Sequence, residues 1–164
     1  MVTIKKQIVL KIRSRMSSIK IKNKRARFEY NFVDTFTAGI QLTGTEIKSI
    51  RMGKASIAEA YCIIDRGEVY IRNMYIEEYA NGGFVNHQPR RDRKLLLNRS
   101  EINKIERKLK QKGYALIPTL LFINDKGLAK LNIALAEGKK LHDKRNTIKE
   151  RDDKREMARK LKGF

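Results

Sequence analysis

The chain has 164 residues, a length typical of one compact domain with short terminal arms. Its 38 lysines and arginines against 18 aspartates and glutamates give a formal net charge of +20, which repels other copies of the chain and attracts a polyanion. No apolar run approaches the roughly 20 residues that span a bilayer. A single cysteine, Cys62, excludes an internal disulfide and any zinc site built from several cysteines.

These properties predict a soluble, monomeric and cytoplasmic protein whose leading partner is nucleic acid. An anionic membrane surface is the competing partner. It is disfavoured because membrane-surface helices pair a basic face with a Trp, Phe or Leu face, which the most basic segments here lack.

The first 28 residues contain no acidic residue and ten basic ones, a block that cannot become compact without self-repulsion. We expect residues 1–18 to form a disordered basic extension. Two interpretations stay open for it: an RNA-contacting arm, or a solvated leader without function, including an over-extended start with Met16 as the true initiator. A secretory signal is disfavoured because charges interrupt its only apolar patch.

Alternation of large apolar with polar side chains begins at Phe28. Phe28, Tyr30 and Phe32 recur at the period of two that a half-buried strand shows, which predicts the first strand. The pattern predicts a second strand through Ile40 and Leu42.

A short helix and a hairpin follow. The helix is predicted over Glu46 to Met52, ended by Gly53. Strands are predicted over 61–64 and 69–76, and the connection between them contains Gly67, which can take the positive φ that hairpin turns need.

Residues 77–93 contain two glycines and a proline and predict a long, mobile loop of the kind that often carries function. Ser100 is the predicted N-cap of an amphipathic helix that ends at Gly113. Strands over 114–123 and 128–135 complete the chain, with Pro118 placed at a sheet edge or bulge.

The resulting order of elements, β-β-α-β-β-α-β-β, is a meander and lacks βαβ crossovers. It predicts a mainly β protein with short helices, folded as a small OB-like β-barrel. The barrel is expected over residues 19–137, with a basic tail over residues 138–164.

Residue types that could carry catalysis are sparse. His87 is alone in its loop, His142 lies in the basic tail, and Cys62 lies inside an apolar strand, where a thiol behaves as a small hydrophobe. Glu46 and Glu68 have no spacing that would pair them as acid and base, so capping or solvent exposure is the simpler interpretation. We therefore predict a protein that is not an enzyme and that binds no metal or cofactor.

RNA recognition requires cations for phosphates and flat or polar side chains for bases and riboses. Arg90, Arg91, Arg93 and Lys94 lead directly into residues 95–97, three leucines of which at least two should pack in the core. Such an arrangement would hold cationic side chains at the margin of an apolar anchor.

A second basic segment begins at Gly138, directly after a predicted strand. A rigid barrel would launch it from a fixed point, although a solvated charge run is the alternative. Beyond it, residues 147–161 have few apolar side chains among dense charges, which predicts disorder in isolation and a helix on a partner.

Four motifs, in this order and spacing, resemble the SsrA-binding proteins, also called small protein B, over residues 19–164. They are NKRARFEY at 23–30, AGIQLTGTEIKSIR at 38–51, RKLLLN at 93–98 and GKKLHDKR at 138–145. The resemblance implies an OB-fold barrel that binds the tRNA-like domain of transfer-messenger RNA and delivers it to stalled ribosomes in trans-translation.

The resemblance also implies that the barrel stands in for a missing anticodon arm, while the tail enters the decoding centre and the empty message channel. It implies indirect partnership with elongation factor Tu and alanyl-tRNA synthetase, which act on the RNA. No bond chemistry is implied for the protein itself.

The motifs place candidate contacts along the chain. The expected RNA-binding residues are Asn23, Lys24, Arg25, Arg27, Lys48, Arg51, Arg91, Arg93, Lys94, Leu96 and Asn98. The expected ribosome-binding tail residues are Gly138, Lys139, Lys140, His142, Asp143, Lys144 and Arg145.

Three positions depart from the family pattern. Thr37 replaces the usual Glu before Ala-Gly, and Phe28 replaces a usual His, so it can stack on a base but cannot donate a hydrogen bond. Glu137 stands where a Lys is frequent and weakens the local positive field.

Overall fold

The computed structural model describes residues 19–111 and 113–162, so the predicted N-terminal extension lies outside the described residues. The elements, in chain order, are β1 (Lys20–Lys22), α1 (Ala26–Glu29), β2 (Tyr30–Ile40), α2 (Gly44–Arg51), β3 (Ala55–Ser56), β4 (Tyr61–Asp65), β5 (Glu68–Arg72), β6 (Tyr75–Ile76), β7 (Arg93–Leu96), α3 (Arg99–Leu109), β8 (Tyr114–Ile123), β9 (Ala129–Gly138) and α4 (Leu141–Lys162). Among the described residues, no helix combines the length and apolar character needed to cross a bilayer.

The main sheet closes on itself. Its strands run β1-β8-β4-β5-β7-β2-β9, and β8 also pairs with β9, so the strands from β8 through β9 form a ring with β1 added outside it. Every pairing is antiparallel. Strands β3 and β6 form a separate pair. The predicted OB-like β-barrel with short helices is confirmed.

Branched aliphatic side chains fill the barrel interior. On β9 the predicted alternation places Leu131, Ile133 and Leu135 inside, each without exposed surface. Helix α3 adds Ile105 and helix α2 adds Ile50, both fully buried against the same cluster. The β-period of the strands and the one-sided apolar stripe of each helix therefore define a single main core.

Two local predictions are confirmed in detail. The turn between β4 and β5 has positive φ at Arg66 (49°) and Gly67 (76°), the geometry of a two-residue hairpin turn. Pro118 lies at a register shift of the β8–β9 ladder, as expected for a residue that cannot donate a ladder hydrogen bond.

The prediction of a first strand starting at Phe28 and a second at Ile40 is wrong. Phe28 lies in α1, and one strand, β2, spans the whole of 30–40. The cause of the turn is Asn23, whose Oδ1 accepts the Ala26 N–H at 3.0 Å and starts the helix. A bulge between Phe32 and Asp34 then lets β2 pair with β9 along its length.

Other differences are local. Helix α3 is capped by Asn98 and not by Ser100, and the short strands β1, β3 and β7 were not predicted. The strand predicted over 69–76 is divided into β5 and β6. The tail forms a helix, α4, that leaves Met157 and Leu161 exposed. The proposal that the tail stays disordered until it meets the ribosome remains a prediction.

Candidate RNA interface

The three consecutive leucines after Lys94 divide between the core and the surface. Leu95 is buried, Leu97 packs partly against the core, and Leu96 between them is 53% exposed. The prediction that at least two of the three serve core packing is therefore confirmed. Leu96 alone is presented on the outer face of the barrel.

A glycine, Gly39, lies beside Leu96 on the neighbouring strand. Gly39 on β2 pairs with Leu96 on one side and with Lys130 on the other, so the three side-chain positions share one face. A Cβ at Gly39 would lie 3.3 Å from the Leu96 Cβ and 3.7 Å from the Lys130 Nζ. The missing side chain leaves a shallow surface between an apolar group and a cation, which another backbone can approach closely.

Polar side chains lie on the same face of the sheet, two residues away from the Gly39–Lys130 pair. Thr37 and Asn132 are register partners, and the Thr37 hydroxyl lies 3.0 Å from the Asn132 Oδ1. On the other side, Asn98 caps α3, and its N–H donates to Glu101 Oε2 at 2.9 Å. We name the residues Thr37, Gly39, Leu96, Lys130 and Asn132 the Leu96 face.

Lys94, two residues before Leu96, forms an ion pair at the edge of the Leu96 face. Its amine forms an ion pair with Glu68, which also accepts a hydrogen bond from the Tyr70 hydroxyl at 3.1 Å. The bond from Lys94 lowers the pKa of Glu68 and raises that of Lys94. Both side chains keep more than a third of their surface exposed, so this cation can exchange the carboxylate for a phosphate.

A second basic surface surrounds α1. Lys24 and Arg27 line a cleft of about 670 Å³ together with Lys22 and Asn132. Arg25 is exposed and pairs with Glu29 at 2.7 Å. We name Lys22, Lys24, Arg25 and Arg27 the α1 surface.

The basic tail starts at this second surface. The Lys139 N–H donates to the Glu29 carbonyl at 2.9 Å, and the Lys139 Nζ donates to the Arg27 carbonyl at 3.1 Å. Lys140, Asp143 and Arg145 follow as exposed residues, whereas the side chains of the predicted contacts His142 and Lys144 lie outside the described set. The tail therefore leaves the barrel from a fixed point beside α1.

The Leu96 face and the tail exit lie at opposite ends of β2. Gly138 pairs with Tyr30 at the start of this strand, whereas Leu96 pairs with Gly39 near its end. Gly39 is nine positions after Tyr30 along the 11-residue strand. At about 3.3 Å per residue, the two points are on the order of 25–30 Å apart.

A buried ion cluster supports the barrel behind these surfaces. Glu46 has no exposed surface and accepts hydrogen bonds from Arg91 Nε and Nη2 (2.8 and 2.6 Å) and from Arg93 Nε (2.8 Å). The Thr43 N–H donates to the same carboxylate at 2.7 Å in the capping box of α2. Burial by itself raises the pKa of Glu46, but these hydrogen bonds and the nearby guanidinium charges outweigh it and the net pKa is lowered.

The structure buries the side chains of two predicted RNA contacts, which disfavours a direct role in RNA binding. Arg93 has no exposed surface, and its other donors bond the carbonyls of Met74, Gln88, Pro89 and Arg91. Asn23 is 7% exposed, and its amide donates to the carbonyls of Ile57 and Pro118, both at 3.1 Å. Both side chains fix the backbone beneath the candidate surfaces.

The remaining predicted contacts gather near α2. Lys48 is exposed, and its amine lies 5.0 Å from the centre of the Tyr79 ring. The Arg51 Nη2 donates to the Gly127 carbonyl at 3.1 Å. Arg91 keeps about a third of its side-chain surface exposed while it binds Glu46. Of the eleven predicted RNA contacts, Asn23 and Arg93 are thus the buried ones.

The titratable residues considered for catalysis have structural roles. His87 is 7% exposed, with Nδ1 2.9 Å from the Thr45 hydroxyl and Nε2 3.2 Å from the Ile76 carbonyl. Cys62 is buried, and desolvation raises the pKa of its thiol. For Glu46 the sequence left two interpretations, capping and solvent exposure. Glu46 is buried and caps α2, so the first is confirmed. No cluster of three or more His, Cys, Asp or Glu able to hold a metal occurs among the described residues.

Sequence reasoning missed Lys130 and Gly39. Lys130 is one of the residues that alternate with the apolar ones in segment 128–135. Gly39 lies inside the motif at 38–51. The signal for both was present, but only strand register shows that they flank Leu96.

A closed OB-like barrel with two basic surfaces and a cationic tail defines a class of small proteins that contact polyanions at more than one place. The model of the SmpB protein family matches residues 20–163. The chain belongs to this family.

Curated relatives and a solved chain agree. The chain is 58% identical to the SsrA-binding protein of Parabacteroides distasonis over 89% of its own length and 95% of the relative's. It is 49% identical to the SsrA-binding protein of Agrobacterium fabrum over 90% and 92% of the two chains. A chain of the solved structure described as "tmRNA-SmpB: a journey to the center of the bacterial ribosome" has 41% identity and a TM-score of 0.64, covering 76% of this chain and 87% of the solved one.

Proposed function

We propose that this protein binds the tRNA-like domain of transfer-messenger RNA and delivers it to stalled ribosomes for trans-translation. The Leu96 face is the RNA-holding surface. The tail addresses the ribosome and enters the decoding centre and the message channel. We reassign Lys24, Arg25 and Arg27 of the α1 surface, which the motifs predict as contacts to transfer-messenger RNA, to the ribosome because the tail leaves beside them. Because its site of action is the ribosome, the protein works in the cytoplasm.

The observation that carries this proposal is the distance along β2 between Leu96 and the point where the tail leaves the barrel. Leu96 and Lys130 flank one end, whereas the tail leaves beside Arg27 at the other end, on the order of 25–30 Å away. A tail that leaves the barrel this far from Leu96 can contact a second partner while the Leu96 face holds an RNA. An adaptor between a delivered RNA and a receiving particle fits this arrangement.

The chemistry of the Leu96 face suits a folded RNA. Leu96 supplies an apolar contact, Lys130 a phosphate partner, and Thr37 and Asn132 polar groups for ribose hydroxyls or base edges. Thr37 replaces an acidic family residue, so the face keeps a hydrogen-bonding group there without a carboxylate. The role is binding and positioning, and the chemical steps belong to the partners.

The first experiment measures affinity for transfer-messenger RNA and for a total tRNA pool at one near-physiological salt concentration. The expected result is a clear preference for transfer-messenger RNA. Equal affinity for both pools would overturn the proposal.

The second experiment truncates the chain after Lys140, which keeps β9 and its hydrogen bonds to α1. The expected result is retained binding to transfer-messenger RNA with loss of peptide tagging on stalled ribosomes. If the truncated chain lost RNA binding instead, the assignment of the two surfaces would be wrong.

A further inference from the structure

Two large apolar side chains are exposed at the tip of the loop between β6 and β7. Phe84 is fully exposed and Val85 is 86% exposed. They follow Gly82 and Gly83, and Gly83 has a φ of +56°. Adjacent exposed apolar residues at a loop tip are more unusual than single ones, and they point to a contact made with another molecule.

The loop is closed at its neck by one side chain. The Asn86 Nδ2 donates to the Tyr79 carbonyl at 2.9 Å, and the Tyr79 N–H donates to the Asn86 Oδ1 at 3.2 Å. The Gly82 N–H also donates to the Tyr79 carbonyl at 2.8 Å. A Cβ at Gly82 would lie 2.7 Å from the Asn86 Nδ2 and 2.9 Å from the Tyr79 carbonyl oxygen, so only glycine fits this closure. We name residues 79–86 the Phe84 loop.

The C-terminal side of this loop is anchored to the protein interior. His87 is buried and contacts Thr45 and the Ile76 carbonyl through its two ring nitrogens. The buried Arg93 guanidinium binds the carbonyls of Gln88 and Pro89 next in the chain. Phe84 therefore projects from a loop that hydrogen bonds hold on both sides. This ordering reduces the conformational entropy that is lost when a partner binds Phe84.

Charges beside the loop favour a polyanion. Residues 79–86 carry none, and the neck has cations next to it: Lys48 over the Tyr79 ring, and Arg90, whose guanidinium carbon lies 5.8 Å from the centre of the Tyr75 ring. Two acids precede the loop: Glu77, which is neutralised by Lys54 at 2.5 Å, and Glu78. An aromatic tip with cations behind it matches a base with its adjoining phosphates.

We propose that the Phe84 loop is a rigid wedge that stacks Phe84 on an unpaired base of the bound RNA, with Lys48 next to the RNA backbone. This inference rests on the proposed function and adds a third contact, distinct from the Leu96 face and the α1 surface. A protein groove that buries Phe84 is the competing occupant, and the experiment separates the two.

The experiment measures affinity for transfer-messenger RNA with Phe84→Ala, Phe84→Leu and Phe84→Tyr, each beside wild type. Phe84→Ala is expected to weaken binding about tenfold, the order of one lost base–aromatic stack. Phe84→Tyr keeps the ring and should bind like wild type, whereas Phe84→Leu keeps apolar area without a π face and should resemble Phe84→Ala. The matched control is Leu128→Ala, another exposed apolar residue in a turn, which should bind like wild type.

Salt titration adds a second readout. Stacking releases no counterions, so Phe84→Ala should shift log K without changing its slope against log salt concentration. Lys48→Ala should reduce the magnitude of that slope by about 0.7, as expected for one lost contact with a single-stranded phosphate. Because Phe84 is fully exposed, urea unfolding should not distinguish these variants from wild type.

Outcomes separate this inference from the proposed function. If wild type prefers transfer-messenger RNA and Phe84→Ala binds it equally well, the wedge is wrong and the proposed function stands. If Phe84→Leu restores function and only ribosome-dependent tagging is lost in Phe84→Ala, the occupant is a protein groove and the wedge is also wrong. If wild type shows no preference for transfer-messenger RNA, both proposals fail together.

Discussion

Glu46→Gln tests whether the buried ion cluster holds the barrel together. Glutamine keeps the shape of the side chain but removes the charge that faces Arg93, which has no exposed surface. Arg93 has five N–H donors, and all five find acceptors, one of them the Glu46 carboxylate. The substitution therefore leaves a buried cation without its counter-charge.

The expected loss of unfolding free energy is about 3–5 kcal/mol, the cost of removing one partner from a buried ion pair. With a denaturant slope of about 2 kcal/mol per M, the urea midpoint should fall by roughly 1.5–2.5 M. Circular dichroism during a urea titration measures this shift. The matched control is Glu68→Gln, which removes a carboxylate from the half-exposed pair with Lys94 and should leave the midpoint almost unchanged.

The pH dependence should change in the same variant. The folded-state pKa of Glu46 lies below its ordinary value, so the carboxylate contributes stability at neutral pH that is lost as pH falls through the folded-state pKa. Glu46→Gln should therefore show a shallower loss of stability on acidification than wild type. A midpoint loss for Glu46→Gln no larger than that of Glu68→Gln would refute the reasoning.

Three further predictions address the surfaces and the backbone. Asn23→Ala leaves the buried carbonyls of Ile57 and Pro118 without their donor. The free energy of unfolding, measured with urea, should fall by about 1–3 kcal/mol. A variant with unchanged stability and weakened RNA binding would contradict the structural role of Asn23. Lys130→Ala should lower the salt slope of transfer-messenger RNA binding by about 0.9 in filter binding, whereas the turn variant Lys126→Ala should not. Gly67→Ala forces a side chain into a φ of 76° and should lower the unfolding free energy by roughly 1 kcal/mol; a stabilised variant in thermal unfolding would rule out the turn geometry.

Local patterns were sufficient where one residue sets the geometry. Gly67 fixed the hairpin turn, Pro118 fixed the bulge, and the alternation of Leu131, Ile133 and Leu135 fixed the inner face of β9. In each case the constraint acts within a few residues, so the sequence shows it directly.

Predictions failed where a distant partner decides the outcome. Phe28 continues an alternating pattern, but the Asn23 Oδ1 starts α1, and the Asn23 amide is held in place by carbonyls 34 and 95 residues away. Arg93 is a cation in a basic segment, and such residues are usually exposed. It is buried because Glu46, 47 residues earlier, neutralises it. Charge and periodicity along the chain contain no information about such partners.

By itself the sequence determined the mainly β class, the basic character and the motifs that resemble the SsrA-binding proteins, because composition and short-range periodicity are properties of the chain. Only the tertiary structure decided which cations reach solvent, that Gly39 and Lys130 flank Leu96, and that the tail leaves at the other end of β2. These features depend on strand register and barrel closure, which bring together residues far apart in sequence.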